Sequence, residues 1–282
     1  MNDSKNAQKR IAILDLYDSQ PNEGMRCIKD IIAAWGILNN TKIQMQVFDV
    51  RQQLAVPDTS FDAYISSGGP GSPLDSEGNE WEAAYFNWLQ SIETFNLHES
   101  NNNLKKHILF ICHSFQLACR YYQVGTVSPR RSTAFGVFPV HLLPAGKKEP
   151  LFQNLSDPFY AVDSRNYQVI APNETRIEAM GGAFLAIEKE RPHVPYERAM
   201  MAIRFNPFFI GTQFHPEADA VGMQMYLQRA DKKKAVIDEH GEEKWQSMVA
   251  QLQDPDKIMF TYHHIIPNFL TMALEVKQTV SI

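Results

Sequence analysis

The stretch that decides the fold is Ile108-Leu109-Phe110-Ile111-Cys112-His113-Ser114-Phe115-Gln116-Leu117. Residues 108–111 form an apolar strand pattern that runs directly into Cys112, and residues 114–122 have a helical pattern. Cys112 should therefore lie on a sharp strand-to-helix turn, where an α/β fold presents a nucleophile. The positive end of the following helix favours a thiolate, and its first amides can bind a developing oxyanion. This makes Cys112 the first candidate for a catalytic residue.

A structural explanation of Cys112 competes with the catalytic one. Cysteine is among the most buried residue types, and a cysteine at the end of an apolar strand is often a small core residue. The ten residues alone do not separate the two interpretations. Motifs elsewhere in the sequence have to decide between them.

The composition is that of an ordinary globular protein. The chain has 282 residues, of which 44% are hydrophobic and 21% charged, and its net charge is −5. This length favours one α/β domain with additions, and we predict a single domain over residues 1–282. The negative charge gives no reason to expect nucleic acid or an anionic membrane as a partner. No apolar run approaches the roughly 20 residues that span a bilayer, and residues 1–10 lack a hydrophobic signal core, so we expect a cytoplasmic protein.

The cysteines and histidines show no metal-ligand spacing. Cys27, Cys112 and Cys119 form no C-x-x-C pair, which argues against both a disulfide framework and a cysteine zinc site. His263 and His264 are adjacent and would project differently from a helix. We therefore expect no metal and no other cofactor.

The first part of the chain alternates strand and helix patterns. Residues 11–17, 43–50 and 62–66 predict strands, and residues 25–35 predict a helix that ends at Gly36. Residues 80–95 predict another helix, which precedes the strand at 107–111. This order predicts a doubly wound, mostly parallel, flavodoxin-like sheet with its ligand chemistry at the carboxyl ends of the strands.

A glycine-rich loop, Ser66-Ser67-Gly68-Gly69-Pro70-Gly71-Ser72, follows the third strand. Glycines permit a close approach of the backbone, so that amides can point at an anion or at a carbonyl oxygen under attack. No Gly-Lys-Ser/Thr follows, so the loop is not a Walker phosphate loop. As a pattern by itself, it predicts only a loop.

A second catalytic candidate ends a later strand. Strand patterns at residues 135–143, 159–163, 176–180 and 183–187 predict antiparallel additions to the sheet, and residues 199–205 and 208–214 predict a hairpin. The hairpin leads into His215-Pro216-Glu217. His215 could remove the thiol proton, and Glu217 could orient its imidazole. Alone, the triplet also fits a strand end followed by a helix start.

The remainder of the chain predicts a helical tail. Residues 219–237, 241–252 and 257–277 have helical patterns. Lys232-Lys233-Lys234 is most simply a solvated helix face. We divide the chain into a core of about residues 10–217 and a helical extension of about residues 218–282.

Three motifs in this order resemble the class I glutamine amidotransferases, the Cys-His-Glu glutaminase fold of guanylate synthase and its relatives. The motifs are Ser67 to Ser72, Ile111 to Gln116 and Gln213 to Glu217. Each is modest, but their ordered combination is specific and covers about residues 10–217. The resemblance implies that Cys112 attacks the side-chain amide of glutamine to form a γ-glutamyl thioester. His215 would be the base and then the acid, and Glu217 would orient it. The further implied residues are Gly69 and His113 for the oxyanion hole, and Gln116, Gly68 and Ser114 for the substrate.

The sequence departs from the family pattern at three places. The family usually has glycine two residues before and two residues after the cysteine, where this chain has Phe110 and Ser114. We expect the turn to form with altered substrate contacts. Arg165 stands in a region where relatives often carry a histidine, which suggests a different recognition of substrate or partner.

The resemblance implies a stand-alone glutaminase without an acceptor domain. A separate synthetase subunit would then receive the ammonia. A second hypothesis is hydrolysis of a γ-glutamyl amide or peptide without ammonia transfer, which uses the same three residues. The third hypothesis is a catalytically quiet binding or regulatory subunit, but the intact Cys112, His215 and Glu217 argue against it. The sequence does not determine the oligomeric state.

Overall fold

A mixed sheet of nine strands runs through the part of the chain that the structure describes. The computed structural model of the protein describes residues 8–193, 195–252, 254 and 257–274. The strands are β1 Lys9–Asp15, β2 Ile43–Asp49, β3 Ala63–Ser66, β4 His107–Ile111, β5 Thr126–Leu142, β6 Phe159–Ile170, β7 Ala183–Glu188, β8 Met200–Asn206 and β9 Phe209–Thr212. They lie in the order β2-β1-β3-β4-β9-β8-β7-β5-β6. The strands from β2 to β9 in this order are parallel, and the remaining neighbours pair antiparallel.

Helices cover both faces of the sheet. They are α1 Gly24–Leu38, α2 Val50–Gln53, α3 Glu80–His98, α4 His113–Tyr122, α5 Glu174–Ala179, α6 Ala220–Gln228, α7 Ala230–His240, α8 Glu242–Leu252 and α9 Ile258–Ala273. Side chains of α1 and α9 pack with Ile13 in one core, whereas those of α3 and α4 pack with Leu14 in the other. Adjacent residues of a strand face opposite sides, so each apolar strand serves both cores. The predicted doubly wound, mostly parallel sheet with antiparallel additions and C-terminal helices is confirmed.

Two local predictions were wrong. Gly36 does not end α1 but lies inside it, where a Cβ would come within 2.9 Å of Ile43 Cγ1. The glycine therefore permits the close packing of α1 against β2. Residues 176–180 form no strand, because Asn173 caps α5 by accepting a hydrogen bond from Arg176 N at 3.1 Å.

The tail follows its prediction with one change. The predicted helix at 219–237 is divided at Arg229 into α6 and α7. Residues 275–277 of the predicted last helix, and the side chain of Lys232, lie outside what the structure describes. Lys234 is exposed and pairs with Asp238 at 2.5 Å. Within the described ranges, no helix is long and apolar enough to cross a membrane.

Candidate active site

Cys112 occupies a strained turn between β4 and α4. Its φ of 50° and ψ of −97° lie outside the regions that residues with a side chain usually adopt. A hydrogen bond from Cys112 N to Thr212 O at 2.8 Å holds the turn against β9. This is the sharp turn predicted from the sequence, and it lies at the carboxyl edge of the parallel strands.

Ser114 stabilises this turn through hydrogen bonds of its side chain. Its hydroxyl accepts a hydrogen bond from Ile111 N at 2.8 Å and donates one to Ser66 O at 2.8 Å, which ties the turn to β3. The side chain is completely buried. Its hydroxyl is therefore used inside the core, and Ser114 does not belong to the lining of the cavity above Cys112.

Phe110 fits two residues before Cys112 because the neighbouring strand β9 has a glycine beside it. Phe110 is paired in register with Gly211 of β9. A Cβ on Gly211 would lie 3.2 Å from Phe110 Cβ and 2.8 Å from Phe115 Cδ2. Gly211 thus leaves room for Phe110, whose ring packs edge-on against Phe205.

His215 lies beside Cys112 and is held by Glu217. Glu217 Oε1 is 2.8 Å from His215 Nδ1, and Tyr17 OH donates to the same oxygen at 3.4 Å. Burial by itself lowers the pKa of His215, but the negative charges of Cys112 and Glu217, and the hydrogen bonds to both, hold that pKa well above its usual value. Burial, together with the charge of Glu217, raises the pKa of Tyr17, which makes it a neutral donor. The three groups form a chain that can take up and hold the thiol proton.

The two glycines of the loop after β3 allow this close assembly. A Cβ on Gly68 would lie 2.9 Å from His215 Cε1 and 3.6 Å from Cys112 Cβ. One on Gly69 would lie 2.3 Å from Leu16 O, so the loop can approach β1 only with glycine there. Gly68 therefore makes room for the imidazole ring, and Gly69 lines the cavity above Cys112.

His113 and Gln116 lie on the first turns of α4. As the first residue of the helix, His113 has a backbone amide without an intrahelical acceptor. Burial, assisted by Arg51 and Arg120, lowers the pKa of the His113 side chain to about 3, so its ring is neutral. Gln116 Nε2 donates to Gln213 Oε1 at 3.1 Å, and Gln213 Nε2 in turn approaches Cys112 Sγ at 3.8 Å.

A cavity of about 560 Å³ opens above the thiol. Its walls come from the β1–α1 loop, the loop after β3, the start of α4, strands β5 and β6, and the tail. The residues are Tyr17, Gln20, Pro21, Asn22, Gly69, Pro70, Gly71, Cys112, His113, Gln116, Thr133, Phe135, Ser164, Arg165, Asn166, Tyr167, His215, Arg229 and Val236. A smaller cavity of about 170 Å³ lies on the Glu217 side of His215. Among the described residues, no three His, Cys, Asp or Glu side chains are grouped to hold a metal ion.

Arg165, singled out in the sequence, is part of a buried ionic network. Its guanidinium donates to both Asp163 oxygens at 2.9 Å and to Glu188 at 3.3 Å. Arg130 also pairs with Glu188, at 3.0 Å. Ser164, between the two charged residues of β6, accepts a long hydrogen bond from Cys112 Sγ at 3.7 Å. The network therefore fixes the strand that carries this carbonyl.

Sequence reasoning missed Tyr17 and Ser164. Tyr17 is the last residue of the strand predicted over residues 11–17, and in the structure it follows β1 at the carboxyl edge of the sheet. Ser164 gave no signal, because only its backbone oxygen takes part.

The doubly wound sheet, the cysteine at the turn and the adjacent histidine–glutamate pair together define a protein of the glutamine amidotransferase type. The family model described as Glutamine amidotransferase class-I matches residues 13–230, and the chain belongs to this family. The resemblance seen in the motifs is thereby confirmed. Membership supports a function in hydrolysing or transferring the amide of glutamine in general. No curated protein matches the chain significantly.

Solved structures share the fold at low sequence identity. A glutamine amidotransferase from Thermotoga maritima is 13% identical with a TM-score of 0.66, and the match covers 96% of this chain and 100% of that one. The glutaminase domain of Trypanosoma brucei CTPS with bound acivicin is 14% identical with a TM-score of 0.59, and the match covers 96% of each chain. A protein of the GMP synthase type from Thermoplasma acidophilum is 13% identical with a TM-score of 0.57, again over 96% of each chain.

Proposed function

We propose that the protein is a glutaminase-type enzyme that hydrolyses the side-chain amide of glutamine through a thioester on Cys112. The observation that carries this proposal is the placement of His215 beside Cys112, with its other ring nitrogen 2.8 Å from Glu217. This is the arrangement that activates a thiol, because the histidine can accept its proton and the carboxylate stabilises the imidazolium that results.

The first half of the reaction forms the thioester. Cys112 Sγ attacks the γ-carbonyl carbon of glutamine, and the carbonyl oxygen becomes an oxyanion. The amides of Gly69 and His113 would bind this oxyanion, because one lines the cavity and the other is a free amide at the start of α4. The carbon–nitrogen bond then breaks, and His215 gives its proton to the departing ammonia.

The second half releases glutamate. His215, neutral again, removes a proton from water, which attacks the thioester carbonyl. The carbon–sulfur bond breaks, and the thiolate is restored beside the protonated His215. Gln116 lines the cavity, and its contact with Gln213 supports the proposal that it holds the substrate. We further propose that the ammonia passes to a separate synthetase, which the likeness to the CTPS glutaminase domain supports.

A second candidate function is hydrolysis of a γ-glutamyl amide whose nitrogen carries a substituent. The observation in its favour is the size of the cavity, about 560 Å³, which lies within the roughly 300–1,000 Å³ of pockets that hold drug-sized ligands. The same three residues would do this chemistry, with an amine leaving in place of ammonia.

The test is release of glutamate from glutamine by the purified protein, together with mass spectrometry after treatment with acivicin, a glutamine-like electrophile. We expect turnover and an adduct on Cys112, and loss of both in Cys112→Ala. The matched control is Cys119→Ala, which removes a buried thiol within α4. Neither turnover nor an adduct would contradict the assignment of the three residues and favour a binding or regulatory role.

A further inference from the structure

Two buried amide side chains form a hydrogen-bonded chain that ends at the sulfur of Cys112. Gln116 Nε2 donates to Tyr167 O at 3.3 Å and to Gln213 Oε1 at 3.1 Å. Gln213 Nε2 in turn donates to Cys112 Sγ at 3.8 Å. Gln213 is completely buried and does not belong to the lining of the cavity above Cys112. It therefore contacts the reacting sulfur and lies out of reach of a substrate in that cavity.

The orientation of both amides follows from the backbone carbonyl of Tyr167. A carbonyl oxygen only accepts hydrogen bonds, so the atom of Gln116 that faces it must be the amino nitrogen. The same nitrogen also faces Gln213, which therefore presents its own oxygen there. The amino group of Gln213 is left at the other end of the amide, where Cys112 Sγ lies. The sulfur thus meets a donor and not an acceptor.

The sulfur has a different neighbour for each of its protonation states. As a thiol, Cys112 can donate to Ser164 O at 3.7 Å. As a thiolate it can only accept, and Gln213 Nε2 is placed to donate to it. A hydrogen bond to a charged acceptor stabilises that charge, and more so where water is excluded. Gln213 therefore favours the thiolate over the thiol.

The other groups that act on the sulfur are titratable. His215 forms a hydrogen bond to Cys112, and Tyr17 interacts with its charge. Glu217 acts on the sulfur through His215, to which it is hydrogen-bonded. An amide side chain does not titrate, so the hydrogen bond from Gln213 remains when His215 gains or loses its proton.

We infer that Gln213 is a further catalytic residue, which stabilises the Cys112 thiolate before it attacks the amide and again when the carbon–sulfur bond breaks. Gln116 is its positioning residue, because Gln116 fixes the direction in which the Gln213 amide points. The inference rests on the proposed thioester chemistry of Cys112, to which it adds a role for the residue that lies behind the cavity wall.

The test is the pH dependence of Cys112 alkylation by iodoacetamide, measured by mass spectrometry of the peptide that carries Cys112. Only the thiolate reacts. Gln213→Met keeps the approximate size of the side chain without its donor, so the midpoint of the alkylation profile should move to higher pH by about one unit. Gln213→Glu places a carboxylate against the thiolate and should move the midpoint further. A change that only loosens the fold would not produce this order.

Steady-state kinetics with glutamine provide the second measurement. At neutral pH, Gln213→Met should lower kcat about tenfold and leave KM nearly unchanged, because residue 213 does not line the cavity. Gln116→Met tests the positioning role. It should move the alkylation midpoint in the same direction as Gln213→Met but by less, because the donor is still present and only its direction is released. An unchanged midpoint in Gln116→Met would refute the positioning role.

Asn268→Leu is the matched control for the loss of a buried amide. Its side chain also makes two hydrogen bonds, to Leu151 O and Gln153 O, and it does not line the cavity. Its alkylation profile should equal that of the original protein. An equal shift in this control, or an unshifted profile in Gln213→Met, would overturn the inference and leave the proposed function standing. Absence of glutamine turnover and of the acivicin adduct in the original protein would instead defeat the proposed function, and the catalytic role of Gln213 with it.

Discussion

At the scale of single residues, the site depends on the hydrogen bonds that the buried carboxylate of Glu217 accepts. Glu217 Oε1 accepts from both His215 and Tyr17, whereas Oε2 is buried and has no partner among the described residues. An unsatisfied buried oxygen is costly, so the two donors on Oε1 are needed to hold the carboxylate in place. In the proposed reaction, Tyr17 is therefore a positioning residue, which acts through Glu217 and His215.

Tyr17→Phe should lower kcat about tenfold, because the variant loses one hydrogen bond to the Glu217 carboxylate. KM for the substrate should stay nearly unchanged, because the aromatic ring and its contacts remain. Steady-state kinetics would measure this split. Tyr64→Phe is the matched control, since it also removes a buried hydroxyl, which donates to Asp58 O at 2.7 Å away from the triad. An equal loss of kcat in both variants would show a general effect on folding.

At the scale of elements, the turn at Cys112 depends on the pairing of β4 with β9. Gly211 leaves room for Phe110 and Phe115 on either side of the turn. Gly211→Ala should lower the free energy of unfolding by about 1–3 kcal/mol, the usual cost of overpacking a core. Urea denaturation would measure the loss. Adding Phe115→Leu should recover part of it, because the Cβ would meet that ring at 2.8 Å. An additive loss in the double variant would contradict this explanation.

The ionic network of β5, β6 and β7 provides a second prediction at this scale. Glu188 pairs with both Arg130 and Arg165, whose charges outweigh the effect of burial and lower its pKa. Glu188→Gln would leave these buried cations without their shared carboxylate, so we expect a loss of about 3 kcal/mol in the free energy of unfolding. Glu190→Gln, on an exposed side chain, is the control. Urea denaturation would measure the difference, and equal free energies of unfolding for the two variants would contradict this prediction.

The elements also show what the sequence could and could not predict. Apolar runs and turn residues predicted the strands, because a buried parallel strand leaves that pattern in the sequence. The same patterns gave wrong predictions at two places. Gly36 lies inside α1 because it packs against β2, and residues 176–180 form no strand because Asn173 caps a helix there. In the site, the sequence could not predict the hydrogen bonds of Ser114, because its partner Ser66 becomes a neighbour only after folding.

At the scale of the whole molecule, the half-buried His107 and the buried His113 make stability depend on pH. Burial, with help from Arg204, lowers the pKa of His107 to about 4, and burial lowers that of His113 to about 3. In the unfolded chain both would titrate near 6.5, so below about pH 6.5 the unfolded state binds more protons than the folded state. The free energy of unfolding should therefore fall as the pH decreases from about 6.5 towards 4.

This loss should be on the order of 1 kcal/mol or more for each histidine between pH 7 and pH 5, because each pH unit in this range costs up to about 1.4 kcal/mol. Urea denaturation at pH 7 and pH 5 would measure it. His107→Gln removes one of the two titrating groups, so it should lose less stability over the same interval than the original protein, whatever its stability at pH 7. An equal loss in both proteins would show that His107 stays accessible to protons in the folded state.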